Sequence, residues 1–318
     1  MGDPAGIGPE ITLKAVRQQD VLAVCKLTII GDEAVLEQAA RALADKGALP
    51  GGQPLPDDVE VIDLQNVKAG SHRWGKVTAE AGKAAAEYIE HAVKLALKGE
   101  IAAIVTGPIN KEALALANVP YPGHTEMLAA LTNTRDYAMM LAGPTLRVIH
   151  VSTHVSLAEA IRRVKRDRIL RVTELAHTVL EGAGISQPRI AVAGLNPHAG
   201  ESGLFGDEEI REIAPAIEAA KRQGIQASGP HPPDTVFWHA SQGRFDVVVV
   251  MYHDQGHIPA KYAGFDKSVN ITVGLPVVRT SVDHGTAFDI AGKGVASEAS
   301  MVEAILHAVR LAGPLENA

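Results

Sequence analysis

Three histidines occur just beyond apolar runs of the sequence. His154, His198 and His253 each follow a short, β-branched stretch and lie in a polar loop. If these stretches are parallel strands, their carboxyl ends meet at the sheet edge where ligands bind in open α/β folds. Three imidazoles at that edge would form a metal site with positions open for a substrate. The alternative for each histidine is that it only caps a strand, and the pattern leaves both interpretations open.

Two acidic residues lie near these histidines. Asp234 follows two prolines in a rigid turn, and Asp254 directly follows His253. Either carboxylate would ligate a hard cation or orient a ligand histidine through its second ring nitrogen. An Asx turn is the alternative for Asp234.

Other polar residues are suited to bind an anion. His124 and Thr125 lie at a predicted helix start, where backbone amides, a hydroxyl and an imidazole would cradle a negative group. Lys261, Asn270 and Arg279 lie near Gly and Pro loops in the last third of the chain, and together they would bind a phosphate or carboxylate. Taken singly, Thr125 is a helix cap and the other residues are solvated surface groups.

The glycine-rich segments do not match the common nucleotide fingerprints. In residues 6–10 (GIGPE), Pro and Glu stand where a dinucleotide-binding turn needs a glycine-bearing helix start. Gly82-Lys83 lacks the upstream glycine and the following Ser or Thr of a phosphate-binding P-loop. The segment 283–294 (DHGTAFDIAGKG) instead predicts a glycine-bearing loop rich in groups that bond ribose or adenine, leading into a helix.

The elements that must position these residues alternate along the chain, which predicts βαβ units and a largely parallel sheet. The predicted strands are 27–30, 101–105, 146–151, 189–193, 245–251 and 269–273. The predicted helices are 9–18, 34–46, 79–98, 157–163, 168–181, 208–222 and 298–312.

Composition narrows the class of protein. The chain has 318 residues, which favours two domains, and its 30 Lys and Arg against 37 Asp and Glu argue against non-specific nucleic-acid binding. A single Cys excludes a disulfide framework. The sequence shows no apolar run of membrane-spanning length and no signal peptide, so we expect a cytoplasmic protein.

Long motifs resemble the 4-hydroxythreonine-4-phosphate dehydrogenase family, whose fold is that of isocitrate and isopropylmalate dehydrogenases. The motifs that carry the resemblance are GDPAGIGPE at 2–10, TGPINK at 106–111, GHTE at 123–126, LNPHAGE at 195–201, YHDQG at 252–256 and RTSVDHGTAFDIAGKG at 279–294.

The resemblance implies a two-domain α/β/α fold with the active site in an interdomain cleft at a homodimer interface. One domain is expected at 1–126 plus 272–318 with the cofactor loop, and the other at 127–271 with the metal histidines and the dimer contacts. The family also implies one strand before residue 1, because the turn at 2–10 normally follows a strand.

The resemblance also implies roles for particular residues. It implies a divalent metal (Zn, Mg, Mn or Co) held by His154, His198 and His253 in a site shared between subunits. The implied substrate contacts are His124, Thr125, Lys261, Asn270 and Arg279. The implied NAD contacts are His284, Gly285, Thr286, Ala287, Asp289 and Gly292.

The implied reaction oxidises a phosphorylated 3-hydroxy acid and then decarboxylates it. The metal would stabilise the developing alkoxide, and either Lys261 or Asp234 would take the hydroxyl proton. Segments 132–140 and 148–154, with His257, look more like the branch that oxidises D-threonate or D-erythronate 4-phosphate to dihydroxyacetone phosphate and CO2. The alternative is oxidation of 4-phosphooxy-L-threonine in pyridoxal phosphate biosynthesis.

Two rival functions remain for the same fold. A phosphate acyltransferase needs neither the histidines nor the loop at 283–294, so both features count against it. A non-catalytic sugar-phosphate sensor is disfavoured by the intact set of His154, His198 and His253.

Overall fold

The chain divides into two compact units. The computed structural model describes residues 1–49, 55–68, 73–264 and 267–313. Unit 1 contains Met1–Thr134 and Leu275–Val309, and unit 2 contains Arg135–Gly274 with the described residues from Arg310 onward. The sequence-based division has its boundaries at 126/127 and 271/272, and its final residues, 314–318, lie outside the described residues.

The strands of unit 1 form parallel pairs. Strand β1 (Leu27–Gly31) pairs with β2 (Val59–Asp63), and β3 (Ala103–Thr106) pairs with β10 (Val278–Val282). The helices of unit 1 are α1 (Gly8–Ala15), α2 (Gln19–Leu22), α3 (Glu33–Asp45), α4 (Ala79–Leu97), α5 (Lys111–Leu116), α6 (His124–Leu131) and α12 (Ala299–Ala312).

Helix α4 is central to the packing of unit 1. Thr78 caps it, because its Oγ1 accepts a hydrogen bond from the amide of Ala81 at 3.1 Å. A run of buried small residues then lets α5 approach closely, and a Cβ on Gly82 would lie 2.1 Å from the carbonyl oxygen of Ala113. Gly82 therefore serves helix packing, which agrees with the absence of a P-loop fingerprint around it.

Unit 2 is built on a mixed sheet. Its strands are, in spatial order, β9 (Val269–Val273), β4 (Ala138–Ala142), β5 (Arg147–His150), β8 (Val247–Val250), β6 (Ile190–Ala193) and β7 (Ala227–His231). Strand β4 is antiparallel to both of its neighbours, while β5, β8, β6 and β7 are mutually parallel. The helices of unit 2 are α7 (Leu157–Arg162), α8 (Arg166–Gly182), α9 (Ala214–Arg222), α10 (Val236–Ser241) and α11 (His253–Gly264).

The middle strands of this sheet are buried on both faces. Every residue of β6 and β8 is buried, and both strands read as continuous apolar runs. Such runs are typical of parallel strands covered by helices on both sides. The parallel direction also brings the carboxyl ends of β5 and β8 to the same edge.

The predicted mixed α/β class and all six predicted strands are confirmed. The predicted helices also occur, although the helix predicted at 9–18 ends at Ala15, and 208–222 begins with a π-helical turn at Glu209–Ile213. Four of the described strands were not predicted. Strands β4 and β7 contain no β-branched residue, and polar residues interrupt the apolar pattern of β2 and β10. Helix α11 was missed because it contains Gly256 and Pro259, which normally end helices.

None of the described helices is both long and apolar enough to cross a bilayer.

Candidate active site

Four histidines lie close together in unit 2, beyond the carboxyl ends of β5 and β8. His150 ends β5 and His154 follows it, while His253 and His257 are one turn apart on α11. The ring centroids of His154 and His253 are 5.5 Å apart, and those of His253 and His257 are 3.7 Å apart in a stacked arrangement. Because β5 and β8 are parallel neighbours, they bring the predicted ligands His154 and His253 together.

The two buried histidines of this group, His150 and His257, were not predicted as site residues. His257 Nδ1 lies 3.0 Å from His150 Nε2, and His150 Nδ1 lies 3.0 Å from the carbonyl oxygen of Met139. Burial lowers the pKa of His150 to about 4 and that of His257 to about 3, so both imidazoles are neutral at pH 7. The carbonyl can only accept, so His150 Nδ1 carries its proton and His257 Nδ1 donates to His150. The signal available in the sequence was the i, i+4 spacing of His253 and His257.

Helix α11 carries two charged residues besides the histidines, Asp254 and Lys261. Asp254 Oδ1 lies 2.7 Å from His253 Nδ1, which makes Nδ1 the donor and leaves the Nε2 lone pair for a ligand. Lys261 lies on the same helix face as His253 and His257, since the three are spaced by four residues. The positive charge of Lys261 is one of the causes that lower the pKa of His257, after burial and the neighbouring histidines.

The other two candidates of unit 2 have different environments. Asp234 is exposed in the turn that precedes α10. Asn270 lies in β9, with its Nδ2 3.4 Å from Met139 Sδ. Among the described residues, its buried Oδ1 has no hydrogen-bond partner. A buried amide oxygen of this kind is an acceptor that a bound ligand would satisfy.

His198 lies in a turn that follows β6. It is exposed, with φ 52° and ψ 29°, and its ring centroid is 6.3 Å from that of Phe205. Within residues 1–49, 55–68, 73–264 and 267–313, no group of three or more His, Cys, Asp or Glu side chains is arranged to hold a metal ion. The three-histidine metal site therefore stays a prediction.

In unit 1, Arg279 is a buried cation. It is 2% exposed in β10, and its Nη2 donates to Thr106 Oγ1 at 2.7 Å. Burial lowers the pKa of Arg279 to about 9, so the guanidinium keeps its charge at neutral pH. A buried, charged fork of donors is suited to a carboxylate or phosphate.

His124 and Thr125 begin helix α6 in the same unit, as the predicted helix start requires. Burial, and then the charge of Arg279, lowers the pKa of His124 well below its usual value, so this imidazole is neutral. Its buried Nε2 has no hydrogen-bond partner in the described part of the chain. His124 and Arg279 are thus close enough to interact electrostatically, as a shared anion site requires.

The segment 283–294 forms the predicted loop between β10 and α12. The buried carboxylate of Glu10 accepts hydrogen bonds from the amides of Gly294 and Ala296, at 3.3 and 2.8 Å. Lys14 Nζ pairs with Glu10 at 2.9 Å and donates to the carbonyl oxygens of the same two residues. The far end of the loop is therefore fixed to helix α1.

Two glycines let the neighbouring segment 73–78 pack directly on this loop. A Cβ on Gly292 would lie 2.6 Å from Trp74 Cδ1, and a Cβ on Gly75 would lie 2.6 Å from the carbonyl oxygen of Phe288. Both glycines have positive φ, 73° and 69°. A cavity of about 360 Å³ beside this segment is lined by residues that include Arg73 and Lys76.

The predicted cofactor contacts are all on the 283–294 loop. The carbonyl oxygen of Thr286 accepts a hydrogen bond from the amide of Ile7 at 3.0 Å, and Gly285 and Asp289 are exposed. His284 Nδ1 lies 3.1 Å from the carbonyl oxygen of Gly285, while its buried Nε2 lacks a hydrogen-bond partner among the described residues. Ala287 has a positive φ of 41°.

These donors fit the two implied groups to different degrees. Exposed backbone, a carboxylate and the Nε2 of His284, which has no partner among the described residues, fit the hydroxyls and ring nitrogens of an adenosine. For the metal, His154 and His253 supply imidazole nitrogens, which are suitable ligands for a divalent transition metal, and the two rings lie close together.

Known proteins match over almost the whole chain. The family model described as "Pyridoxal phosphate biosynthetic protein PdxA" matches residues 23–308. The D-threonate 4-phosphate dehydrogenase of Cupriavidus necator is 50% identical over 320 residues, covering 98% of this chain and 96% of that protein. The 4-hydroxythreonine-4-phosphate dehydrogenase of Beijerinckia indica subsp. indica is also 50% identical over 320 residues, covering 99% of this chain and 94% of that protein.

A solved structure gives the same result. The crystal structure of 4-hydroxythreonine-4-phosphate dehydrogenase from Klebsiella pneumoniae has a TM-score of 0.87 and 47% identity, covering 98% of each chain. The family predicted from the motifs is thereby confirmed. The chain belongs to the PdxA family of dehydrogenases.

Proposed function

We propose that the protein is an NAD-dependent, divalent-metal-dependent dehydrogenase acting on D-threonate or D-erythronate 4-phosphate. It oxidises the C3 hydroxyl, and loss of the carboxyl group as CO2 leaves dihydroxyacetone phosphate. The second candidate substrate is 4-phosphooxy-L-threonine, which carries an amine in place of the C2 hydroxyl. Relatives at 50% identity carry names that correspond to both activities, which supports a phosphorylated four-carbon substrate in either case.

The choice between these substrates rests on the features that resemble the threonate and erythronate branch. These features are the segments 132–140 and 148–154 and the residue His257. His150, within the second of these segments, lies 3.0 Å from His257 across a buried hydrogen bond. Two of the features that resemble this branch therefore lie in contact next to His253. We propose the hydroxy acid because of the resemblance, and the substrate panel below decides between the two candidates.

The observation that carries the proposal is the unpartnered Nε2 of His124 near the buried Arg279. An unsatisfied buried polar atom costs about 1–3 kcal/mol, so folded proteins keep one mainly where a ligand completes it. A neutral imidazole and a guanidinium together fit a substrate that carries both hydroxyl and anionic oxygens. The other proposed substrate contacts are Thr125, Lys261 and Asn270, whose buried Oδ1 has no hydrogen-bond partner among the described residues.

The residues that would hold the divalent ion are His154, His198 and His253. When bound, such an ion stabilises negative charge on the substrate oxygens during oxidation and decarboxylation. An all-imidazole donor set suits zinc or cobalt better than magnesium or manganese. We further propose that the site is shared between the subunits of a homodimer. This would explain why the described residues of one chain bring His154 and His253 together but no third ligand.

Lys261 is the better candidate for the base that takes the hydroxyl proton. It lies on the helix face that carries His253 and His257, whereas Asp234 is exposed in the turn before α10. A general base must lie within hydrogen-bond reach of the proton that it removes. The proposed hydride acceptor, NAD, would bind His284, Gly285, Thr286, Ala287, Asp289 and Gly292.

A substrate panel tests the proposal. Metal-loaded protein is mixed with NAD and, separately, with D-threonate, D-erythronate and 4-hydroxy-L-threonine in their 4-phosphorylated forms, and reduced cofactor is followed by absorbance. We expect turnover with the two sugar acids and about 5- to 150-fold lower kcat/KM with the amino acid, since one misplaced polar group costs about 1–3 kcal/mol.

The same panel without added metal, after chelation, is the control. Preference for 4-phosphooxy-L-threonine would establish the second candidate instead. Absence of turnover with all three compounds, with the metal shown to be bound, would refute the dehydrogenase assignment to these substrates.

A further inference from the structure

The turn that carries His198 has an unusual backbone. Residues His198, Ala199, Gly200, Glu201 and Ser202 have φ values of 52°, 52°, 79°, 43° and 56°, so they form a left-handed turn. The left-handed conformation costs a non-glycine residue roughly 1–2 kcal/mol, and four of these five residues are not glycine. Contacts outside the turn must therefore hold it in place.

Glu209 provides those contacts from the first position of its π-helical turn. Its side chain is buried, at 3% exposure. Glu209 Oε1 accepts hydrogen bonds from the amides of Leu195 and Asn196, at 2.7 and 2.8 Å, and Oε2 accepts from Asn196 Nδ2 at 2.9 Å. One carboxylate thus binds the chain immediately before His198 at three donors.

The backbone closes around this carboxylate on both sides of His198. A Cβ on Gly194 would lie 3.1 Å from Glu209 Oε1, and a Cβ on Gly200 would lie 2.8 Å from Oε2. Asn196 also donates its Nδ2 to Glu208 at 2.7 Å, and its carbonyl oxygen accepts from the amide of Ala199 at 3.1 Å. The path from Glu209 to the turn is therefore continuous through Asn196.

We propose that Glu209 is a positioning residue that fixes the left-handed turn and so sets the direction of the imidazole of His198, a residue that would hold the divalent ion. The inference rests on the proposed function for the metal role of His198. Glu209 acts through backbone amides and Asn196. An isosteric glutamine keeps one acceptor oxygen but replaces the other with an NH2 group, which would face either the two amides or Asn196 Nδ2.

The test compares Glu209→Gln and Glu209→Ala with Glu218→Gln in the full chain. Glu218 is an exposed carboxylate on α9 that pairs with Lys221 at 2.8 Å, so its variant removes the same charge from the same helical stretch without touching the turn. Zinc affinity is measured by competition with a chromogenic chelator, and the rate of proteolytic cleavage within 196–206 reports on the turn. Circular dichroism and thermal unfolding verify the fold, and Glu209→Gln carries the test if Glu209→Ala does not fold.

We expect Glu209→Gln to weaken zinc binding by about 10- to 100-fold, the usual effect of losing a residue that orients a ligand, and to accelerate cleavage. Glu218→Gln should stay within about twofold of the wild type, as expected for an exposed ion pair. His198→Ala is measured in parallel to separate the two proposals. Unchanged zinc affinity in Glu209→Gln, beside zinc loss in His198→Ala, overturns the positioning role alone. Zinc retention by His198→Ala instead contradicts the metal assignment in the proposed function.

Discussion

The two units of the chain carry different polar chemistry at their predicted sites. Unit 1 contains a buried guanidinium, Arg279, which remains charged at neutral pH although burial lowers its pKa to about 9. Unit 2 contains imidazoles, and the buried ones, His150 and His257, are neutral because burial lowers their pKa to about 4 and 3. A fixed cation is suited to an anionic substrate group, whereas His253 in unit 2, whose Nδ1 faces Asp254, keeps its Nε2 lone pair for a metal.

The units also differ in how they hold an irregular segment. In unit 1, the 283–294 loop is fixed by close backbone approaches at Gly292 and Gly75 and by the Glu10–Lys14 pair. In unit 2, the turn at His198 is fixed by the buried carboxylate of Glu209. Changes at Arg279 or in the 283–294 loop of unit 1 should therefore affect substrate or cofactor binding and leave metal content unchanged. Changes at His253 or in the His198 turn of unit 2 should affect metal binding.

The largest effect is expected from His253→Ala in unit 2. Loss of this imidazole should remove most of the bound metal and lower kcat/KM by at least about a thousandfold, since metal stabilisation is worth several kcal/mol. Metal content is measured by elemental analysis of the purified protein. His177→Ala is the matched control, because His177 lies on α8 of the same unit and pairs with Glu181 at 3.2 Å. Full metal content in His253→Ala would contradict the assignment of metal binding to the histidines of unit 2.

Arg279→Lys tests the anion site of unit 1. Lysine keeps the charge but loses the fork of donors, so we expect kcat/KM for the phosphorylated substrate to fall by about 10- to 100-fold, equivalent to charged hydrogen bonds of about 1.5–3 kcal/mol. Metal content should not change. Arg189→Lys, at an exposed pair with Asp246, is the control. A loss of metal in Arg279→Lys, with substrate KM unaltered, would contradict the division of roles.

Gly292→Ala tests the cofactor loop. The new methyl group would meet Trp74, and alanine would have to adopt a positive φ. We expect the loop to shift and to weaken NAD binding by about 1 kcal/mol, which corresponds to a rise of about 3- to 10-fold in the KM for NAD. Gly99→Ala has the same kind of backbone strain, at φ 74°, but its Cβ would meet nothing within 4 Å. Equal NAD kinetics in the two variants would show that the loop does not contact NAD.

The last effect concerns the pH dependence of stability and not activity. The pKa of His124 is lowered in the folded protein, so below about pH 6.5 the unfolded chain binds a proton that the folded chain does not. The contribution of neutral His124 to the free energy of unfolding is therefore complete well above pH 6.5 and decreases as the pH falls below it. Between pH 7.5 and 5, the free energy of unfolding should therefore fall by about 1–2 kcal/mol more in the wild type than in His124→Gln. Denaturant unfolding at the two pH values measures this, and parallel losses would show that His124 is not the responsible group.

Much of the fold follows from local sequence. The apolar runs of β5, β6 and β8 are buried on both faces, and such runs are recognisable from composition alone. Strand β10 and helix α11 were not predicted, because one contains a buried Arg279 and the other contains Gly256 and Pro259. In both, tertiary contacts override local propensity.

The site was predictable to the extent that it depends on chain direction. His154 and His253 were predicted together because parallel strands deliver their ends to one edge, and they do lie together. The pairing of His150 with His257, and the role of Glu209 before the His198 turn, depend on contacts between residues far apart in sequence. Spacing within one element does not encode such contacts.

The central claim is tested most directly by the fate of the substrate carboxyl group. D-Threonate 4-phosphate labelled with ¹³C at C1 is incubated with metal-loaded protein and NAD, and reduced cofactor and labelled CO2 are measured together. The account predicts one labelled CO2 for each reduced cofactor, with dihydroxyacetone phosphate as the other product. Reduced cofactor without labelled CO2 would contradict it.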